Sequence, residues 1–211
     1  GFQPEGWVSN DLDLNDQIFC ESNEIDQCDV CDGGNADDLG CGCFEPGPSG
    51  CDNTCGSTLE NDECGVCGGD GPAEGYDCDG IPLEFIHNMS QQIAYYFFES
   101  VTIDGVMLTA DDWVGAFNGD ICVGAFNWDT NNCNSGVCAV AAMGDDGFEW
   151  TIGYLLPGDI PSFKIFDASE SQYLDAVASE DIPWSNNGYE LLENLQSAVS
   201  GCTDADACNY D

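Results

Sequence analysis

The chain has 211 residues, with 41 Asp and Glu against a single Lys or Arg, a formal charge of -40 and 15 cysteines. Direct nucleic-acid binding is excluded, because phosphate recognition needs clustered Lys and Arg to displace counterions. An anionic membrane surface is disfavoured on the same ground, and no run approaches the roughly 18 apolar residues that a membrane helix requires. Cysteine at this density predicts an oxidising compartment, so the expected location is extracellular or on the cell surface.

Residues 1–80 hold 10 Cys, 15 Gly and 20 acidic residues, with only 14 of the large apolar types. Such a segment buries too little apolar area to offset its chain entropy, so cross-links or metal ions must hold it. Its start, residues 2–8 with Phe2 and Trp7, is apolar enough to add as a strand to a neighbour's sheet edge. Residues 81–200 carry 45 large apolar residues in 120 and are able to build their own core. Residues 201–211 return to the Cys and Asp character of the start.

In chain order, strands are expected over 93–103, 113–117, 120–126, 137–142, 148–156, 162–166, 172–176 and 188–195. Turn formers separate them, among them Gly144-Asp-Asp-Gly147, Pro157-Gly-Asp159 and Ser185-Asn-Asn-Gly188. The Asn118-Gly119 pair between two apolar runs predicts a hairpin with a type I′ turn. A helix is the competing reading only for 190–199. Short strands at this spacing give a mainly β fold: an antiparallel β-sandwich or jelly roll, preceded by a disulfide-rich, irregular, calcium-stabilised segment.

Two CxxC pairs, Cys28/Cys31 and Cys64/Cys67, have the form of zinc half-sites, but six more cysteines crowd the same 80 residues and favour disulfides. Fifteen is odd, so one thiol is free or pairs outside the chain. Cys133 and Cys138 form a plausible local bridge, which leaves Cys122 with a distant partner or as a buried free thiol.

Calcium takes six to eight oxygens from closely spaced carboxylates, Asn amides and carbonyls. Five clusters offer such oxygens: Asp11, Asp13, Asn15 and Asp16; Asp26, Asp29, Asp32, Asn35 and Asp37; Asp77 and Asp79; Asp145 and Asp146; and Asp204, Asp206, Asn209 and Asp211. The Asp145-Asp146 pair reads first as a solvated acidic loop and only second as a ligand pair, and no stretch completes an EF-hand loop. Twenty acids without a base in residues 1–80 would repel one another unless cations neutralise them.

Asn61-Asp-Glu-Cys-Gly-Val-Cys-Gly-Gly-Asp-Gly71 and Glu74-Gly-Tyr-Asp-Cys-Asp-Gly80 resemble the Cys/Asp/Gly repeats of secreted bacterial surface proteins, which are distantly similar to thrombospondin type-3 calcium-binding repeats. Gly201-Cys-Thr-Asp-Ala-Asp-Ala-Cys-Asn-Tyr-Asp211 is similar to the opening of another repeat in such proteins, without its continuation. The resemblance implies calcium-bound, disulfide-linked tandem modules, with ligand roles for the acidic positions of those segments. Asp112-Trp-Val-Gly-Ala-Phe-Asn-Gly-Asp-Ile-Cys-Val-Gly124 resembles a β-rich module of the same kind of protein, a resemblance that fixes no activity.

The catalytic inventory is thin. His87 is the only imidazole and Lys164 the only basic side chain, and no Gly-x-Ser-x-Gly elbow accompanies them. Lys164 lies in a strand, where it is expected to face outward and pair with an acid. Asn88-Met-Ser90 is a glycosylation sequon. The run Tyr95-Tyr-Phe-Phe98 puts two aromatics on each face of a strand, so both faces need covering; with the tryptophans it reads as core or as a sugar-stacking platform. The expected function is therefore non-enzymatic: a structural subunit of an extracellular filament or surface array, stabilised by calcium and disulfides and assembling head to tail with copies of itself. The alternative is a carbohydrate-binding or adhesion module of a larger secreted protein, with glycans as partners.

Overall fold

In the computed structural model, residues 24–133 and 135–198 are described. The chain divides into two compact units, Gly1–Pro72 and Ala73–Asp211, so residues 73–80 go with the second. There Tyr76 packs edge-on against Phe166 at 5.6 Å, and Ile81 borders the same aromatic cluster.

The second unit is built from eight strands: β1 (Ile93–Ile103), β2 (Val106–Met107), β3 (Trp113–Asn118), β4 (Ile121–Asn127), β5 (Cys138–Met143), β6 (Ser162–Asp167), β7 (Gln172–Ala178) and β8 (Tyr189–Ser197). They form one sheet in the order β2-β1-β8-β7-β6-β3-β4, with β5 on the outer edge of β1 beside β2. Every pairing is antiparallel except β1 with β8. The sheet curls until β4 lies against β5, where a Cβ on Gly124 would sit 1.8 Å from the Ala141 carbonyl oxygen. Only glycine permits that approach.

The mainly β expectation holds, and β1 runs over the predicted residues. The expected hairpin is present with a different turn. Asn118 pairs with Ile121 as the last strand residue, so the turn is Gly119-Asp120. Gly119 has φ +60° while Asp120 is not in the left-handed region, which is the II′ pattern rather than I′. Strand β8, bonded to both β1 and β7, settles the helix alternative over the described residues.

The strand expected over 148–156 does not form. Asp146 Oδ1 accepts from the Thr151 hydroxyl at 2.7 Å and the Phe148 amide at 3.3 Å, folding the segment into a 3-10 turn at Glu149–Thr151. This is the competition that short polar side chains offer to a ladder. Only Leu155 returns to the sheet, through a bridge to Gly144.

Alternation along β1 sends Ala94, Tyr96 and Phe98 inward to meet Val114, Ile165, Leu192 and Leu195 in the main core. Trp184 closes this core, 1% exposed, with its indole N–H donating to the Ala142 carbonyl at 3.0 Å. Each such buried side chain contributes about 1.5–3 kcal/mol. Alternation along β3 puts Val114 and Ala116 in this core and turns Phe117 to a second cluster with Phe85, Cys122 and Phe166. Cys122 is buried there as a free thiol, and Cys133 is bonded to Cys138.

The first unit is built differently. Among its described residues Cys28 alone is buried. Cys28–Cys43, Cys41–Cys55 and Cys51–Cys67 bridge it at sequence separations of 15, 14 and 16. Cys31 and Cys64 are also disulfide-bonded, so both CxxC pairs are bridged and neither is a zinc half-site.

Candidate functional site

The acidic loops are the sequence's strongest claim to a site, and their geometry follows from one side chain in each. Asp26 Oδ1 accepts the amides of Cys28 and Val30, both at 2.9 Å, and Oδ2 accepts that of Asn35 at 2.8 Å. Asp62 repeats the arrangement with Cys64 at 2.9 Å, Val66 at 2.8 Å and Gly71 at 2.9 Å. In both loops the Asp amide donates to the carbonyl of the Val four residues on, at 3.0 and 2.9 Å. In the second unit Asp77 does the same through the amides of Asp79 and Ile81, at 3.0 and 2.8 Å. A carboxylate that gathers two or three N–H groups closes a tight loop without a core, because it satisfies donors that would otherwise need water or a ladder.

Electrostatics agree with the geometry. The Asp26 carboxyl is held below its ordinary value chiefly by the Val30 amide, with the Asn35 and Cys28 amides adding. Asp62 is lowered chiefly by the Val66 amide. Asp146, at the turn that replaced the expected strand, is lowered chiefly by the Gln91 amide, which donates to Oδ2 at 2.9 Å.

These bonds decide where the expected metal ligands stand. Asp26 and Asp77 turn oxygens to the backbone, and Asn35 Oδ1 accepts the Gln27 amide at 2.8 Å. Asp29, Asp32 and Asn35 occupy left-handed backbone at φ +58°, +57° and +62°. Asp37 accepts the Phe44 amide through its carbonyl, and the Asp79 amide donates to Asp77. Among the described residues no group of three or more His, Cys, Asp or Glu converges where a metal ion would sit. Asp11, Asp13, Asn15, Asp16, Asp204, Asp206, Asn209 and Asp211 lie outside the described residues, as do residues 2–8.

The other singled-out side chains are placed as follows. Lys164 Nζ lies 3.0 Å from Glu84 Oε2 and 5.0 Å from the Phe117 ring centroid, the acid pairing expected of it. His87 Nδ1 is 2.9 Å from the Phe85 carbonyl oxygen. Asn88 is exposed, and its Nδ2 donates to the Trp150 carbonyl at 3.2 Å; Ser90 Oγ donates to the Gly144 carbonyl at 2.6 Å. Trp128 and Trp184 are core residues, as are Tyr96 and Phe98. Trp150 is not: it is 54% exposed and stacks on Phe148 at 4.7 Å, with the ring planes 5° apart.

Sequence reasoning missed two features. Asp62 was an acid within a repeat and not an anchor; aligning Asp26-Gln-Cys-Asp-Val30 with Asp62-Glu-Cys-Gly-Val66 would have exposed the shared spacing. The second is an apolar outer face. Tyr95 and Phe97, on the reverse of β1 from the core, meet Tyr189 at 5.5 and 6.4 Å, while Tyr189 and Leu191 remain largely exposed. Pairing of β1 with β8 creates this face, and that pairing is long-range. No protein-family model matches the chain, and no curated protein or solved structure matches it.

Proposed function

We propose that the chain is a non-enzymatic structural module of an extracellular filament or surface array, in which the first unit is a cross-linked spacer and the sheet unit carries the contacts. Copies associate head to tail, and calcium serves as the counter-ion between acidic surfaces that otherwise repel. The observation that carries this reading is the construction of the first unit: bridges and capped loops stiffen it with a single buried residue among those described. Stiffness obtained this way suits a spacer, and the resemblance to tandem secreted repeats points the same way. The charge of -40 supports the counter-ion role, since two such surfaces approach only when cations neutralise them. A heterologous contact whose rotation does not close propagates as a fibre.

Electron microscopy of the full chain in millimolar calcium, and again after chelation, tests the proposal. Filaments that loosen on chelation are expected; dispersed monomers in both buffers would overturn it. A second reading, adhesion to carbohydrate, draws on the exposed Phe148–Trp150 stack, because sugar rings pack on flat aromatic faces. A glycan array without a hit in calcium buffer would remove it.

A further inference from the structure

The outer face of β5, β1 and β8 is ordered in rows. Tyr95 stands between Ala141 and Tyr189, and Phe97 between Ala139 and Leu191. Tyr189 is 72% exposed and Leu191 63%. The next outward row is acidic: Glu99 and Glu193 are both exposed and lie level with each other, between the Phe98↔Leu192 and Ser100↔Asn194 pairs. Like charges side by side on neighbouring strands destabilise each other. Lys164, the chain's only basic side chain, is already paired with Glu84. Two apolar rows, about 6.6–6.8 Å apart, are thus followed along the strands by an uncompensated acidic pair, at the point where the β1–β8 ladder skips a pair.

We propose that this face is a docking surface for an extended, apolar and basic segment of another protein, with apolar side chains at positions i and i+2 over the two aromatic rows and Lys or Arg at i+4 between Glu99 and Glu193. The two apolar rows repeat at the spacing of alternate residues in an extended chain, and the acidic pair follows them in the same direction, within reach of a long basic side chain at i+4. Charge selects the occupant. A second copy would present the same acidic row and bring a further -40 with its one Lys engaged, whereas a cationic segment relieves the repulsion while covering apolar area. The inference rests on the reading of the sheet unit as the contact-bearing part, and it stands apart from whether copies assemble.

The test is an NMR titration of the uniformly labelled full chain, in chelator, with the peptide Phe-Thr-Phe-Thr-Lys carrying neutral ends, alongside the same peptide ending in Glu. The Lys peptide is expected to move the amides of Tyr95, Phe97, Glu99, Tyr189, Leu191 and Glu193, and to lose affinity about tenfold when its Lys becomes Glu. Glu193→Gln, a surface change, is expected to weaken the Lys peptide and to narrow its advantage over the Glu peptide; Leu191→Ser is expected to weaken both. Equal binding of the two peptides, or shifts confined to other residues, would overturn the proposal. So would a concentration-dependent dimer of the full chain that Leu191→Ser abolishes, because the occupant would then be a second copy. Failure to form filaments with intact Lys-selective binding would reject the assembly reading alone.

Discussion

The two units reach order by opposite routes. Residues 24–72 contain one buried residue, yet bridges close loops at separations of 14 to 16, each worth about 3 kcal/mol in the chain-entropy account. The sheet unit holds the short bridge Cys133–Cys138, at a separation of 5, and a continuous core from Ala94 to Leu195. The difference teaches that acidic residues play two roles in one chain. In the loops a carboxylate substitutes for a core by collecting backbone amides. On the sheet, Asp112 is buried and ties two segments, accepting the Thr109 amide at 2.7 Å and the Ala168 amide at 3.0 Å.

The comparison breaks most sharply at Trp184. Trp184→Ala removes a 1%-exposed indole and its bond to Ala142, and is expected to destabilise the sheet unit by about 3–5 kcal/mol in denaturant unfolding. Amide protection in residues 24–72 is expected to persist in that variant. The reciprocal change is Asp62→Ala, which frees the amides of Cys64, Val66 and Gly71. Hydrogen exchange should then accelerate at those positions and leave β1 and β8 unchanged; Asp62→Asn should restore the loop in part, since an amide retains one acceptor oxygen.

Acid sharpens the same point. Asp26 and Asp62 titrate below their ordinary value of 3.8 in the folded loops, so the stabilisation they give is complete above that value and is lost as pH falls through the lowered one. The Val30 and Val66 amide resonances should therefore move with midpoints below 3.8. Midpoints at or above it would show that the capping bonds do not persist in solution. The smallest effect concerns Cys122, whose thiol burial pushes up to about 11. It should resist alkylation at mildly alkaline pH in the native chain and react only as the sheet unit unfolds.

Local signals made much of the sheet legible in sequence. The period-two pattern and turn residues located β1, β3, β4, β6, β7 and β8, and the five-residue spacing of Cys133 and Cys138 gave their bridge. The 148–156 segment was misread because its apolar content looks like a strand, whereas Asp146 fixes it through bonds to Phe148 and Thr151 that no periodicity reports. The Gly119 turn moved by one residue because strand register, a long-range property, decides which pair is central. In the loops, spacing showed that Asp26, Asn35 and Asp77 act locally. It did not show whether their oxygens meet an ion or the backbone, since both uses need short separations and glycine.

Hydrogen exchange read by mass spectrometry on the full chain, before and after disulfide reduction under native conditions, tests most directly the claim that cross-links hold one unit and a core the other. Reduction should release residues 24–72 to unprotected exchange rates while peptides from β1, β6 and β8 keep their protection. Protection of 24–72 that survives reduction would contradict the account, and so would loss of protection in both units together.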